Sequence, residues 1–224
     1  MKKNINKNSE NSICLIGTNK NIFSQLLSKG FLVHEYGRNT IPKLDFSSEN
    51  IHDMIKDIIN KENANNYIIL SGFLQAKKIT DQTKEEITKS FFINSIGPTL
   101  FAESVLNKKP KARIILIGSE SGIKGSFDLT YALSKSSLRM YVKQRRVGIN
   151  QQLLLISPST VEDLGMTERR NDIERLNQYM INHPKKRFIN SMELTDLIVN
   201  IFKSTKYLTN EEICIDGGKF SQME

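Results

Sequence analysis

The sequence predicts a doubly wound α/β domain built on a parallel sheet, on three observations. Short apolar runs alternate with longer stretches whose apolar residues recur at helical spacing. The runs SICLIG, YIIL, RIILIG and LLLIS are apolar almost throughout rather than alternating, as in strands covered on both faces. The 224 residues show no internal repeat, low-complexity segment or interdomain linker, so one domain is expected.

The elements follow in order. Residues 1–11, MKKNINKNSEN, are polar and read as a disordered tail, leaving 12–224 as the domain. SICLIG (12–17) is a strand; NIFSQLLSK (21–29) is a helix stopped by Gly30; FLVHEY (31–36) is the second strand. KLDF (43–46) is a candidate third strand. NIHDMIKDIINK (50–61) is an amphipathic helix and YIIL (67–70) a buried strand. One long helix is expected over 84–106, then the strand RIILIG (113–118), a helix over 130–147 and the strand LLLIS (153–157). A polar stretch follows. Within it, 168–181 has Ile173, Leu176, Tyr179 and Met180 on one helical face, with Arg169 and Arg170 facing water. A helix near 192–203 and the strand EICID (212–216) close the chain. Ligands of such sheets bind beyond the C-terminal strand ends, which points to residues just after 17, 36, 70, 118 and 158.

Composition narrows the function. Two cysteines, Cys14 and Cys214, are too few for a disulfide-built secreted fold. No apolar run approaches the roughly 20 residues of a membrane span, and SICLI is shorter than a signal-peptide core. A cytoplasmic protein with no membrane partner is expected. The net charge is +8 and the pI about 9.4, but the basic clusters KKPKAR, KQRR, RR and PKKR are scattered and lack interleaved aromatics. They read as solvated faces and loops, with no nucleic-acid partner. The histidines at 34, 52 and 183 have no ligand spacing, so no metal site is expected.

Four residues suggest chemistry. Tyr131 and Lys135 are four apart in TYALSKSSL, on one helical face, where an ammonium favours the phenolate and lowers the tyrosine pKa. Ser119, twelve residues earlier, stands just past a buried strand, where its hydroxyl can share a substrate oxygen with Tyr131. In FFINSIGP, Pro98 has no N–H to give the carbonyl of Asn94, which must find water or another donor.

In order and spacing these residues resemble the short-chain dehydrogenases/reductases, with a Rossmann-like fold, from about residue 12 to 218. Ser119, Tyr131 with Lys135, and Asn94 match the family's strand-end serine, YxxxK pair and helix asparagine. ICIDGG (213–218) resembles its closing strand and glycine pair. The resemblance implies Tyr131 as acid/base, Ser119 as the group orienting the reacting oxygen, and Lys135 as holder of the ribose hydroxyls. Asn94 would anchor a water linking Lys135 to solvent. It implies a dinucleotide held by Gly17, Thr18, Asn19, Lys20, Asn21, Ile22, Arg38, Asp45, Ser71, Gly72, Pro158 and Val161, together with Tyr131 and Lys135. By the family's strand order Cys14 and Cys214 lie four strands apart, roughly 19 Å at the usual spacing, so both are expected reduced and buried.

The glycine loop departs from the family. In Gly17-Thr18-Asn19-Lys20-Asn21-Ile22-Phe23 only the first glycine remains. Asn21 can adopt the left-handed conformation a turn needs, whereas Phe23 must push the helix off or point aside. The second strand ends at Gly37-Arg38 rather than at an acid, and alternation aims Glu35 elsewhere. With Lys20 in the loop, NADP(H) is expected over NAD(H). Residues 73–80, 121–128 and 160–186 are expected to wall a small, polar or anionic substrate, the last as a variable lid. By analogy the helices at 84–106 and 130–147 pair in a homodimer or homotetramer. The competing reading is a catalytically silent or weakly cofactor-binding regulatory protein on this fold.

Overall fold

The computed structural model describes residues 9–168 and 173–221. Six strands form one parallel sheet: β1 Ser12–Ile16, β2 Leu32–Tyr36, β3 Asn66–Ile69, β4 Arg113–Ile117, β5 Gln152–Pro158 and β6 Glu211–Ile215, in the order β2-β1-β3-β4-β5-β6. The inner strands β1, β3, β4 and β5 are buried along their whole length, as their unbroken apolar runs require, while the edges β2 and β6 are partly exposed. The register aligns Tyr36, Ile16, Ile69, Leu116 and Leu155 across five strands. The segments after β1–β4 therefore emerge along one line, and the site is built there.

Alternate residues of each strand feed opposite cores. Cys14, Ile16, Ile69 and Leu116 pack under α2 (Ile51–Lys61), α4 (Gly97–Lys108) and α6 (Leu129–Gln144). Ile13, Leu15, Ile115 and Ile156 pack under α1 (Lys20–Ser28) and α9 (Ser191–Ser204). The other helices are α3 (Lys84–Phe91), α5 (Ser121–Lys124), α7 (Gly165–Glu168) and α8 (Ile173–Ile181).

Four expectations are corrected. Ser9–Asn11 is not tail: it forms a 3-10 turn, tied by Asn65, whose amide donates to the Ser9 carbonyl. KLDF is not a strand. The Asp45 carboxylate accepts from the Ser47 N–H and hydroxyl, and Leu44 N–H donates to the Gly37 carbonyl. These local bonds replace ladder pairing, and Leu44 and Phe46 bury themselves without it. The helix over 84–106 is interrupted by a π turn, Phe92–Ile96, where the Gly97 N–H reaches the Phe92 carbonyl. Pro98 has no N–H to continue the α ladder, and the wider turn accommodates it. Gly97 is needed there, since a Cβ would lie 2.4 Å from the Phe46 ring. Finally, Cys14 is buried but Cys214 is exposed, because β6 is an edge strand; both are free.

At the end of α2 the Glu62 side chain is fully buried. Its carboxylate accepts from the Tyr36 hydroxyl (3.1 Å), the Ala64 N–H (2.8 Å), the Asn63 N–H and the His34 Nδ1. Burial, and then the nearby carboxylate, push the Tyr36 phenol above its usual range.

In the segment after β5, Leu176 and Met180 of α8 are half-buried and Tyr179 is exposed. The Ile173 side chain, Arg169 and Arg170 lie outside the described residues.

Candidate active site

Two cavities meet at the C-terminal strand ends, one of about 290 Å³ and one of about 210 Å³, sharing Thr18, Leu70, Ser71 and Gly72. The first is lined by Ser119, Tyr131, Lys135, Pro158 and Val161. The second is lined by Gly17, Gly37, Arg38 and Asp45.

Tyr131 stands in the first turn of α6, whose N-cap Asp128 accepts its N–H at 3.0 Å. Lys135, one turn on, is 3% exposed and donates to the carbonyls of Ser71 and Ile117, each at 2.9 Å. Both carbonyls lie at or just past the ends of β3 and β4, so the sheet itself aims the ammonium. Ser119 follows β4 by two residues; its hydroxyl accepts the Ser121 N–H at 3.1 Å and stands with Tyr131 in the lining of the first cavity. The expectation that Lys135 lowers the tyrosine pKa is overturned. Burial raises it, with the Asp128 and Glu120 charges, and the neighbouring Ser119 hydroxyl only partly offsets this. Lys135 is desolvated too: burial pulls it from 10.5 down to about 7.

That depression has a sign. Between about 7 and the ordinary 10.5, unfolded Lys135 holds more proton than folded Lys135, so stability rises with pH through this window. The variant Lys135→Met is expected to melt higher than the native protein at pH 7 and to flatten the rise towards pH 10. Melting temperatures across this range check it; a parallel rise in both proteins would refute it.

Asn94 is fully buried in the π turn. Its side chain brackets the Phe73 peptide, accepting the N–H at 2.7 Å and donating to the carbonyl at 2.8 Å, and donates also to Ser90 and Ser134. The side chain is spent on these bonds.

The glycine loop folds differently from expectation. Gly17 has φ +93°, and a Cβ there would lie 3.1 Å from the Ser71 amide nitrogen, so the first glycine is required. Asn21 is not left-handed; it lies inside α1, and its side-chain amide donates to the Asp163 carbonyl. Phe23 points aside into the core with Ile13 and Leu26 and lines neither cavity. Lys20 is exposed and also lines neither, and Ile22 is core. Asn19 caps α1 by accepting the Ile22 N–H. The amides of Lys20 and Asn21 find no acceptor among the described residues, so a dinucleotide pyrophosphate still has donors at this helix start. The groove fits such a ligand: two chambers joined across Ser71–Gly72, with Phe23 outside them. Arg38 and Asp45 both line the second cavity. Partial burial opposes ionisation of Asp45, but the Ser47 hydrogen bonds, with Lys43 and Arg38, hold it below the usual carboxylate range.

Two residues, Asp128 and Glu120, escaped sequence reasoning, and a third, Glu35, was expected to aim away from the loop it in fact meets. The Glu35 carboxylate accepts the Asn19 N–H at 3.0 Å. Asp128 is buried and also clamps the amides of Gln75 and Ala76, fixing the loop after β3. Its place three before Tyr131 is an N-cap signal that was legible. Glu120 lines the first cavity and is gripped by Lys124 and Lys219; nothing local announces a partner 99 residues away. The expected walls do meet: Leu74, Ser121, Ser126, Thr160 and Thr167 share that cavity.

No family model and no curated protein matches the sequence. Solved structures do. A short-chain dehydrogenase/reductase (glucose/ribitol dehydrogenase) from Brucella melitensis superposes with TM-score 0.81 at 17% identity, over 94% of this chain and 97% of that one. A variant of ElxO with NADPH bound gives 0.79 at 16%, over 94% and 99%. A short-chain dehydrogenase from Leptospira borgpetersenii with bound NAD+ gives 0.78 at 17%, over 92% and 91%. Sheet, cavities and superpositions agree: this chain has the short-chain dehydrogenase/reductase fold.

Proposed function

We propose that the chain is a member of the short-chain dehydrogenase/reductase family that moves a hydride between NADP(H) and the carbonyl or secondary alcohol of a small polar or anionic substrate. One observation supports this above the rest: Ser119, Tyr131 and Lys135 converge on one cavity at the strand ends, with Asn94 packed behind. The dinucleotide supplies the hydride. The protein handles the proton. Burial keeps the Tyr131 phenol protonated, so in reduction it donates to the carbonyl oxygen while Ser119 holds that oxygen in place. Lys135, one turn from Tyr131, would hold the ribose hydroxyls of a bound dinucleotide and stabilise the phenolate left behind. The Asn94 carbonyl anchors water that returns the proton from solvent.

Dinucleotides of both kinds occur on this fold. Arg38 favours NADP(H): it lines the smaller cavity, and Glu35, the nearest acid on β2, is turned to Asn19. Saturating NADPH at a hundred times its Kd should add about 2.7 kcal/mol of stability, read as a rise in Tm, with NADH giving less at equal concentration. Arg38→Ala should weaken NADPH about tenfold and leave NADH unchanged. Equal losses for both would remove the preference.

A second reading has its own support. Glu35 and Asn19 already fill two amides of the loop, which favours a weakly binding regulatory protein; it predicts no thermal shift with either dinucleotide. For assembly, α6 exposes Leu129, Leu133 and Met140 along one face, which supports a homo-oligomer paired through this helix. No described helix is long and apolar enough to cross a membrane, and with two free cysteines we place the protein in the cytoplasm.

A further inference from the structure

A cavity of about 460 Å³ opens at the opposite end of the sheet, where Asn66, Arg113 and Gln152 begin β3, β4 and β5. It is roomier than either chamber of the reaction groove. Four cations line it, Lys111, Arg113, Lys203 and Lys206, against one carboxylate, Glu10. Lys111 and Lys206 are exposed and make no hydrogen bond or ion pair among the described residues. Lys203 sits 5.6 Å over the Phe31 ring. Elsewhere Lys29, Lys77, Arg139, Arg145 and Lys219 each meet a carboxylate.

Arg113 is the second, independent observation. It is 8% exposed, and its guanidinium bonds the Gln152 side chain and the carbonyls of Ile201, Phe202 and Thr205 at the end of α9. Those bonds use four of its five N–H groups and include no carboxylate. A buried cation is ordinarily paired with an anion. Here carbonyl dipoles, the negative end of α9 and the Phe202 ring at 5.4 Å answer it, and Glu10, the one carboxylate lining the cavity, acts on it without a hydrogen bond or ion pair among the described residues. The sequence before Ser9, MKKNINKN, adds three lysines and no acid, so it brings no compensation.

We infer that this cavity binds a small oligophosphate anion, a ligand with two or more phosphate groups close together. The surplus of three positive charges matches such an anion, and lysine ammoniums suit phosphate as point charges. The volume is that of a small-molecule site, about 300–1,000 Å³, and the charges ring a concavity rather than run in a stripe. The inference is independent of any reaction at Tyr131.

Isothermal titration of the full chain with tripolyphosphate, in about 0.1 M salt, tests it. One-site binding is expected, weakened at least about tenfold in Lys111→Glu/Lys206→Glu and undisturbed by saturating NADPH. Both side chains are exposed; should charge reversal lower Tm, Lys111→Ala/Lys206→Ala makes the same comparison. The proposal is overturned by no binding to the native protein, or by equal affinity in the variants. Displacement by NADPH would overturn it too, by placing the anion in the dinucleotide groove. So would tighter binding of a single-stranded oligonucleotide through the same lysines, which would make this a nucleic-acid surface.

Discussion

Tyr131→Phe is expected to lower kcat about a thousandfold while leaving the Kd for NADPH within about twofold. The substitution removes one oxygen and keeps the ring, which is 6% exposed and packed at the start of α6. Asp128 still accepts the residue-131 amide, so the loop after β3 stays clamped. What disappears is the proton donor beside Ser119. The measurement is NADPH oxidation with a carbonyl substrate turned over by the native protein, beside calorimetric titration with NADPH. Turnover near the native rate would move the acid elsewhere. Loss of NADPH binding would make Tyr131 a structural residue.

Glu62→Ala is expected to cost about 3 kcal/mol of folding free energy. The carboxylate satisfies the Tyr36 hydroxyl, the buried Ala64 N–H, the Asn63 N–H and His34. Its removal leaves the first two without a partner where water does not reach. For a chain of this length the loss corresponds to a fall in Tm of roughly 6–12 °C. Glu62→Gln keeps an acceptor oxygen and should lose less. Urea unfolding of the three proteins at one pH decides the order; an unchanged midpoint for Glu62→Ala would show that water replaces the carboxylate.

The strands β1, β3, β4 and β5 were legible because a run such as RIILI is apolar on both faces whatever surrounds it. Tyr131 and Lys135 were legible as a pair because helical spacing alone puts them on one face. KLDF was misread because its apolar residues do bury, yet Asp45 spends its carboxylate on a turn of its own. Phe23 could be seen to conflict with a glycine loop, but not which way it would turn; the space beside Ile13 and Leu26 decided that.

The sequence by itself determined the order of the six sheet strands along the chain, the two faces of the sheet, and Ser119, Tyr131 and Lys135 at its C-terminal edge, since each of these follows from spacing along a few turns or one strand. Only the tertiary structure decided that Glu35 accepts the Asn19 N–H, that Arg113 is hydrogen-bonded to carbonyls rather than to a carboxylate, that Cys214 is exposed and that Lys135 is desolvated. Charge pairing, exposure and desolvation depend on what stands beside a group in space. That neighbour is chosen by register and packing between segments far apart in the chain.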